Sequence, residues 1–293
     1  MSRILLFGSA GFLGKSILDA ISKNENEVFT LNRSAREEKT HNSFRADILE
    51  PSSYVDLIKQ INPQVLITTA WATTDGFWHS ESNYDYMRAT IDLADFALSG
   101  NVEHFIGLGS SAEYGNTIGF NTGAKTGLNP STEYGRSKAE TGLRISEIAK
   151  TYGKNFSWLR IFQAYGQYER ETRLIPLVIQ RLSNGKSIEI QDASKVLDWI
   201  HSEDVAGAIR FLLQKDLPDH FLDVGTSEGT SVLEVVEMIA TLLGSDMKLI
   251  EISNKGSTTQ ISQLVCSPES ALFREGWKPK ISLDDGLRKV VGS

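Results

Sequence analysis

The chain has 293 residues, 40% of them hydrophobic, and a net charge of −7. That composition excludes disorder as the default and leaves room for one large core or two unequal lobes. The acidic balance, with no dense run of Lys or Arg, excludes a general nucleic-acid binder, and the single cysteine, Cys266, with five scattered histidines offers neither a disulfide framework nor a metal-ligand cluster.

The first apolar run, Arg3 to Phe7, is too short for a signal peptide, and nothing downstream reaches the ~18 uncharged apolar residues of a membrane span. A cytoplasmic protein with no membrane partner is expected. The run reads instead as a strand, Gly8 to Gly14 as a turn, and Lys15 to Ile21 as a helix with apolar residues at helical spacing. Gly8, Gly11 and Gly14 answer three needs: a turn at the strand's end, backbone close enough to touch a pyrophosphate, and tight packing of helix on strand. With Ala10, Phe12 and Leu13 they form the candidate cofactor turn, whose helix-start N–H groups would hold an anion. The spacing is not that of the common Gly-x-Gly-x-x-Gly fingerprint, and alone it also fits a plain α/β turn.

A second strand, Glu27 to Leu31, runs into Asn32, Arg33 and Ser34, with Arg36 nearby. NAD-selective proteins place an acid here to accept from the adenosine ribose, whereas an arginine accommodates a 2′-phosphate. The missing acid favours NADP(H) and leaves NAD(H) open. Phe44 to Ile48 reads as a third strand, with Asp47 and Ile48 placed toward the adenine. Pro51 to Ile61 reads as a helix and Pro63 to Ala70 as a buried strand that delivers Ala70 and Trp71 to the cofactor site. Trp71 to Ser82 reads as a lip over a ligand. A helix over Asn83 to Ser99 and a strand over Glu103 to Leu108 follow, and the strand carries Ser110 and Ser111 to the carboxyl end of the sheet, where such folds bind ligands. This alternation implies a doubly wound parallel sheet with helices on both faces.

Asn116 to Thr132 is a loop by composition, and Pro130-Ser131-Thr132 can cap the next helix. That helix carries Tyr134 and Lys138 four residues apart, on one face and about one turn from each other. A phenol with a pKa near ~10 works as an acid or base at neutral pH only when its ionisation is tuned, and a neighbouring ammonium would lower it. The same spacing also fits a solvated helix face. Phe156 to Arg160 reads as a sixth strand. Beyond it the rhythm loosens into short strands and helices, read as a smaller interleaved lobe. Residues 1–160 are assigned to the dinucleotide-binding domain, completed by segments within roughly 190–225, and 161–293 mostly to substrate binding.

In order and spacing, seven segments resemble the extended short-chain dehydrogenase/reductase family of nucleotide-sugar epimerases, dehydratases and ketoreductases. They are the Gly8 to Gly14 turn, Ala46-Asp47-Ile48, Gly109 to Gly115, Tyr134 to Lys138, Arg160 to Gly166, Asp198 to Ala206, and Gly276 to Pro279. The resemblance implies a hydride-transfer site on a Rossmann fold. Tyr134 would be the acid/base at a sugar oxygen, Ser110 would bond the same oxygen, with Ser111 at the substrate and able to share that work, and Lys138 would hold the nicotinamide ribose and lower the phenol pKa. It also implies a homodimer through the helices at Asn83 to Ser99 and Tyr134 to Tyr152. Departures narrow the choice. Ser111 and Ala112 stand where sugar 4,6-dehydratases carry an acid, and Glu113 falls one place too late. Gln163 and Leu197 replace an Asn and an Arg that contact the nucleotide diphosphate, with Arg170, Arg173 or Lys255 as substitutes. The reading left is an NADPH-dependent ketoreductase of a nucleoside-diphosphate 4-keto-6-deoxy sugar. The alternatives are an NAD-retaining 4-epimerase and a cofactor-binding regulator with a vestigial site.

Overall fold

The computed structural model describes residues 2–22, 26–34, 42–116, 119–121, 125–215, 220–253 and 263–292. Arg36, Lys255 and parts of the 116–132 loop lie outside them. In chain order the first elements are β1 (Arg3–Phe7), α1 (Phe12–Ile21), β2 (Glu27–Asn32), β3 (Ser43–Arg45), α2 (Val55–Ile61), β4 (Val65–Thr68), α3 (Ser82–Leu98) and β5 (His104–Ser110). The short β6 (Phe120–Asn121) precedes α4 (Glu133–Tyr152), β7 (Asn155–Ile161), β8 (Gln163–Tyr165), α5 (Leu174–Ser183), β9 (Ile188–Ile190) and β10 (Val196–His201). The chain continues through α6 (Ser202–Leu212), β11 (His220–Val224), β12 (Gly229–Ser231), α7 (Val232–Leu243), β13 (Ile250–Ile252), β14 (Gln263–Cys266), α8 (Ala271–Arg274) and α9 (Leu283–Val291).

Among the described residues the large sheet has the order β11-β7-β5-β4-β1-β2-β3, and every pairing in it is parallel. Parallel strands are covered on both faces, and β1 shows how the sequence meets that demand: successive side chains point to opposite sides. Leu5 and Phe7 enter a core with Leu93 of α3 and Ile145 of α4, while Ile4 and Leu6 enter one with Ile17 of α1 and Ile209 of α6. The strand order reverses between β1 and β4, which opens a crevice at the carboxyl ends of those strands.

Of the later described segments, only β11 joins the large sheet, beside β7. The stretch around 196–201 does not: β10 sits in a second sheet of order β12-β10-β14-β6, and β8 also pairs with it. A third core, with Val178 of α5, Trp199 of β10, Ile239 of α7 and Leu287 of α9, holds this lobe together. β3 ends at Arg45 rather than Ile48, because Ser53 Oγ takes the Asp47 N–H at 3.0 Å and Asp47 Oδ1 takes the Leu49 N–H at 3.0 Å, which turns the chain. Among the described residues no helix is long and apolar enough to cross a membrane.

Candidate active site

A cavity of about 730 Å³ runs along the crevice and into the smaller lobe. Its floor is the first turn. Gly8 has φ +93°, and a Cβ there would stand 2.5 Å from Thr69 Oγ1 and 2.8 Å from the Ala70 nitrogen. A Cβ on Gly14 would overlap the Gly8 carbonyl oxygen. The two glycines therefore let α1 lie against the end of β1. Gly11 begins α1 with no side chain capping it, which leaves the first helical N–H groups facing the cavity wall formed by Ala10, Gly11, Phe12 and Leu13. This cradle fits a diphosphate, since unpaired N–H groups and the positive end of the helix dipole face one point.

The cavity continues past the end of β2. Asn32 Nδ2 donates to Ser9 Oγ at 3.0 Å, the Ser34 hydroxyl donates to Asn32 Oδ1 at 3.4 Å, and Arg33 is exposed at the rim. Asp47 and Ile48 line the same end, and Ala70 and Trp71 the wall above β4. These residues fit the adenosine half of a dinucleotide. The glycine turn, Asn32 to Ser34, Asp47, Ile48, Ala70 and Trp71 thus line one continuous cavity.

At the other end stand Ser110, Tyr134 and Lys138. Thr132 caps α4 by accepting the Gly135 N–H at 3.0 Å, which fixes the start of the helix and with it the phenol. Ser110 caps the short turn Ser111–Tyr114: its Oγ accepts the Ala112 N–H at 3.2 Å, while Glu113 Oε1 accepts the Ser110 N–H at 2.9 Å. That leaves the Ser110 hydroxyl its proton and one further lone pair, and the Tyr134 phenol is its hydrogen-bonding neighbour. Ser111 lines the cavity beside it but is not placed by that cap.

Tyr134 is sheathed by the lip. The Phe77, Trp78 and Trp71 rings meet it edge-on with centroids at 4.9, 5.5 and 6.2 Å. Burial pushes the phenol up to about 12, opposed by its bond to Ser110 and by the charge of Arg173. Lys138 donates from Nζ to the Leu108 carbonyl at 2.7 Å and lies 3.9 Å from the centre of the Trp71 ring. Burial brings it down to about 7. In the chain by itself the Lys138 ammonium, bonded to Leu108 and over the Trp71 ring, lies 5.8 Å from the centre of the Tyr134 ring, and burial by the lip is the largest influence on the phenol's ionisation.

Sequence reasoning missed what holds these groups. Glu113 is fully buried and shared between Ser110, the Trp158 Nε1–H at 2.9 Å and the Arg160 Nε–H at 2.7 Å. Asn83 ties down the lip, accepting from Trp71 Nε1 at 2.9 Å and donating to the Phe77 and Ser80 carbonyls. Gln163, Arg170 and Arg173 line the smaller-lobe wall with Leu197, together with two residues not anticipated, Glu169 and Lys195. A lysine two places before Leu197 was the available signal for the second.

Fold and cavity together define a dinucleotide-binding α/β enzyme with a serine, a tyrosine and a lysine at the inner end of its crevice. Residues 4–225 match the model of the NAD dependent epimerase/dehydratase family. The chain belongs to that family, whose members are NAD(P)-dependent enzymes of the extended short-chain dehydrogenase/reductase type. It is 26% identical to a putative UDP-glucose 4-epimerase of Methanocaldococcus jannaschii, over 98% of this chain and 97% of the other. It is 23% identical to the dTDP-4-dehydro-6-deoxyglucose reductase of Escherichia coli, over 99% and 96%. Its fold matches the UDP-glucose 4-epimerase of Thermotoga maritima solved with UDP-glucose, with TM-score 0.87, 21% identity and coverage of 99% and 97%. The match to RMD of Pseudomonas aeruginosa, solved with NADPH, has TM-score 0.84, 19% identity and coverage of 100% and 98%.

Proposed function

We propose that the protein reduces the keto group of a nucleoside-diphosphate 4-keto-6-deoxy sugar at the expense of NADPH. The observation that carries the reading is the end of β2, where Asn32-Arg33-Ser34 offers an exposed cation and no acid. An enzyme that keeps and recycles its own NAD gains nothing from a site for a 2′-phosphate.

The bound nicotinamide supplies the hydride. The chain's own residues handle the oxygen. Tyr134, held protonated by burial, is an acid ready to give its proton as negative charge grows on the carbonyl oxygen, and the Ser110 hydroxyl donates to the same atom. Lys138 closes the cofactor side of this pocket. In this reading the first 160 residues carry the cofactor, and the lobe beyond them carries the sugar nucleotide, with Gln163, Arg170, Arg173 and Lys195 available to its diphosphate. Dehydration is disfavoured. Ser111 and Ala112 supply no acid, and Glu113 is fully engaged with Ser110, Trp158 and Arg160.

A second reading, a 4-epimerase retaining NAD, is favoured by the higher identity to the Methanocaldococcus relative. Purified protein separates the two: NADPH consumed with a UDP- or dTDP-linked 4-keto-6-deoxy sugar supports reduction. A nicotinamide that co-purifies, with no consumption of added NADPH, overturns it. The proposal extends to a homodimer through α3 and α4, whose Tyr84, Leu143 and Tyr152 are exposed. A single species at 32.4 kDa in sedimentation across micromolar concentrations refutes that part.

A further inference from the structure

The Glu169 side chain is 5% exposed, lines the cavity, and is not needed for the proton chemistry described above. Its Oε1 accepts from Arg173 Nε at 3.4 Å, while Oε2 is buried without a hydrogen-bond partner. A buried acceptor left unpaired is costly, so such a group is kept where something else completes it. The loop that carries it is held on two sides. Tyr168, at φ +71°, takes the Lys15 ammonium over its ring at 4.7 Å, and the Thr172 hydroxyl donates to Asp75 Oδ1 at 3.0 Å, which ties the loop to the lip around Tyr134. Arg173 stands between the two sites, since its charge acts on Tyr134 as well as on Glu169.

We propose that Glu169 is the specificity-determining acceptor of the sugar pocket: its free carboxylate oxygen takes a hydrogen bond from a ring hydroxyl of the substrate while Arg173 fixes its other oxygen. The assignment rests on the nucleotide-sugar reading given above and sharpens it. Ser110 and Tyr134 converge on the oxygen at the reacting carbon, and a 6-deoxy sugar has no hydroxyl at C6. The hydroxyl read by Glu169 is therefore the one at C2 or C3. Burial raises the carboxyl to about 7, against the pull of Arg173 and of a hydrogen bond from the Gly166 backbone, so the group is poised to be stabilised as an anion when a further donor arrives.

The test is binding of UDP, UDP-6-deoxyglucose and its 2-deoxy and 3-deoxy analogues, with the dTDP series in parallel, to NADPH-saturated wild type, Glu169→Ala and Glu169→Gln by calorimetry. Wild type is expected to hold the parent sugar roughly 10- to 100-fold more tightly than one of the two analogues, as for a hydrogen bond to a charged group. Glu169→Ala should bring the parent down to that analogue and leave the analogue and the free nucleotide where they were. Glu169→Gln, which keeps an acceptor oxygen, should recover part of the preference. Two results overturn the assignment: Ala and Gln variants that discriminate as wild type does, or variants that weaken parent, analogues and free nucleotide alike, which marks a purely structural carboxylate. Wild type that binds no nucleotide sugar of either series overturns the nucleotide-sugar reading itself, and this assignment with it.

Discussion

Lys138→Met should make the cofactor-free protein more stable near neutral pH while removing its activity. Burial lowers the lysine from an ordinary 10.5 to about 7. Between those values the unfolded chain binds a proton at this position that the folded chain does not, so wild-type stability rises with pH across that window. At about 1.4 kcal/mol per pH unit, the difference of 3.5 between 10.5 and 7 corresponds to a penalty of roughly 5 kcal/mol carried by the folded protein at pH 7. Methionine has similar length and no charge to desolvate. It gives up the bond to the Leu108 carbonyl, worth about 1 kcal/mol, and the stacking on Trp71, worth about 1–2 kcal/mol, leaving roughly 2–3 kcal/mol in favour of the variant. Urea unfolding of both proteins at pH 7, 8.5 and 10 reads the difference directly. The gap should close at about pH 8.5–9, where the remaining penalty equals the lost contacts, and reverse by about pH 10; a gap that is constant with pH, or a variant weaker than wild type at pH 7, refutes the reasoning. Turnover lost alongside gained stability would mark Lys138 as a residue kept for function at a structural cost.

Three further outcomes follow from the same geometry. Tyr134→Phe keeps the ring and its edge-on contacts with Phe77 and Trp78, so the melting temperature should barely move, while turnover falls at least about 100-fold for want of the proton donor. Glu113→Gln removes the carboxylate bonded to the Arg160 guanidinium, leaving Asp223 as its remaining buried counter-charge, and should cost about 1.5–3 kcal/mol in urea unfolding. Gly14→Ala drives a methyl group into the Gly8 carbonyl, so α1 must shift; about 1–3 kcal/mol of stability and at least tenfold in NADPH affinity, read by fluorescence titration, should be lost.

The large sheet was legible in the sequence because strands buried on both faces are continuous apolar runs, as in Ile4 to Phe7 and Phe105 to Ile106, and each ends at a glycine or polar turn. The smaller lobe was not. β6, β8 and β12 have two or three residues each, and their pairing depends on partners far along the chain, which periodicity cannot carry. The same holds within the site. Tyr134 and Lys138 show themselves by spacing on one helix, whereas Glu113 looked like an acid in the wrong place until Trp158 and Arg160, on a strand more than forty residues away, turned out to be its partners. The lip that closes over Tyr134 was not legible, because spacing gives proximity to Lys138 but says nothing of the rings that bury the phenol.

The two lobes divide the proposed work in a way that bears on how such a site can change. Ser110 and Tyr134 are fixed from the large sheet, through the cap at the end of β5, the start of α4 and the buried Glu113 between β5 and β7. The groups nearest the proposed sugar, Gln163, Glu169, Arg173 and Lys195, belong to β8 and the smaller lobe. Substitutions among the second set can alter which hydroxyl or phosphate is recognised without moving the proton donor, whereas almost any change at Glu113 or Arg160 disturbs the donor first, because a buried ion pair tolerates no loss of one partner. Arg173 is the exception. It touches Glu169 and acts on the Tyr134 phenol, so the identity of the bound sugar and the acidity of the group that serves it are coupled through one side chain.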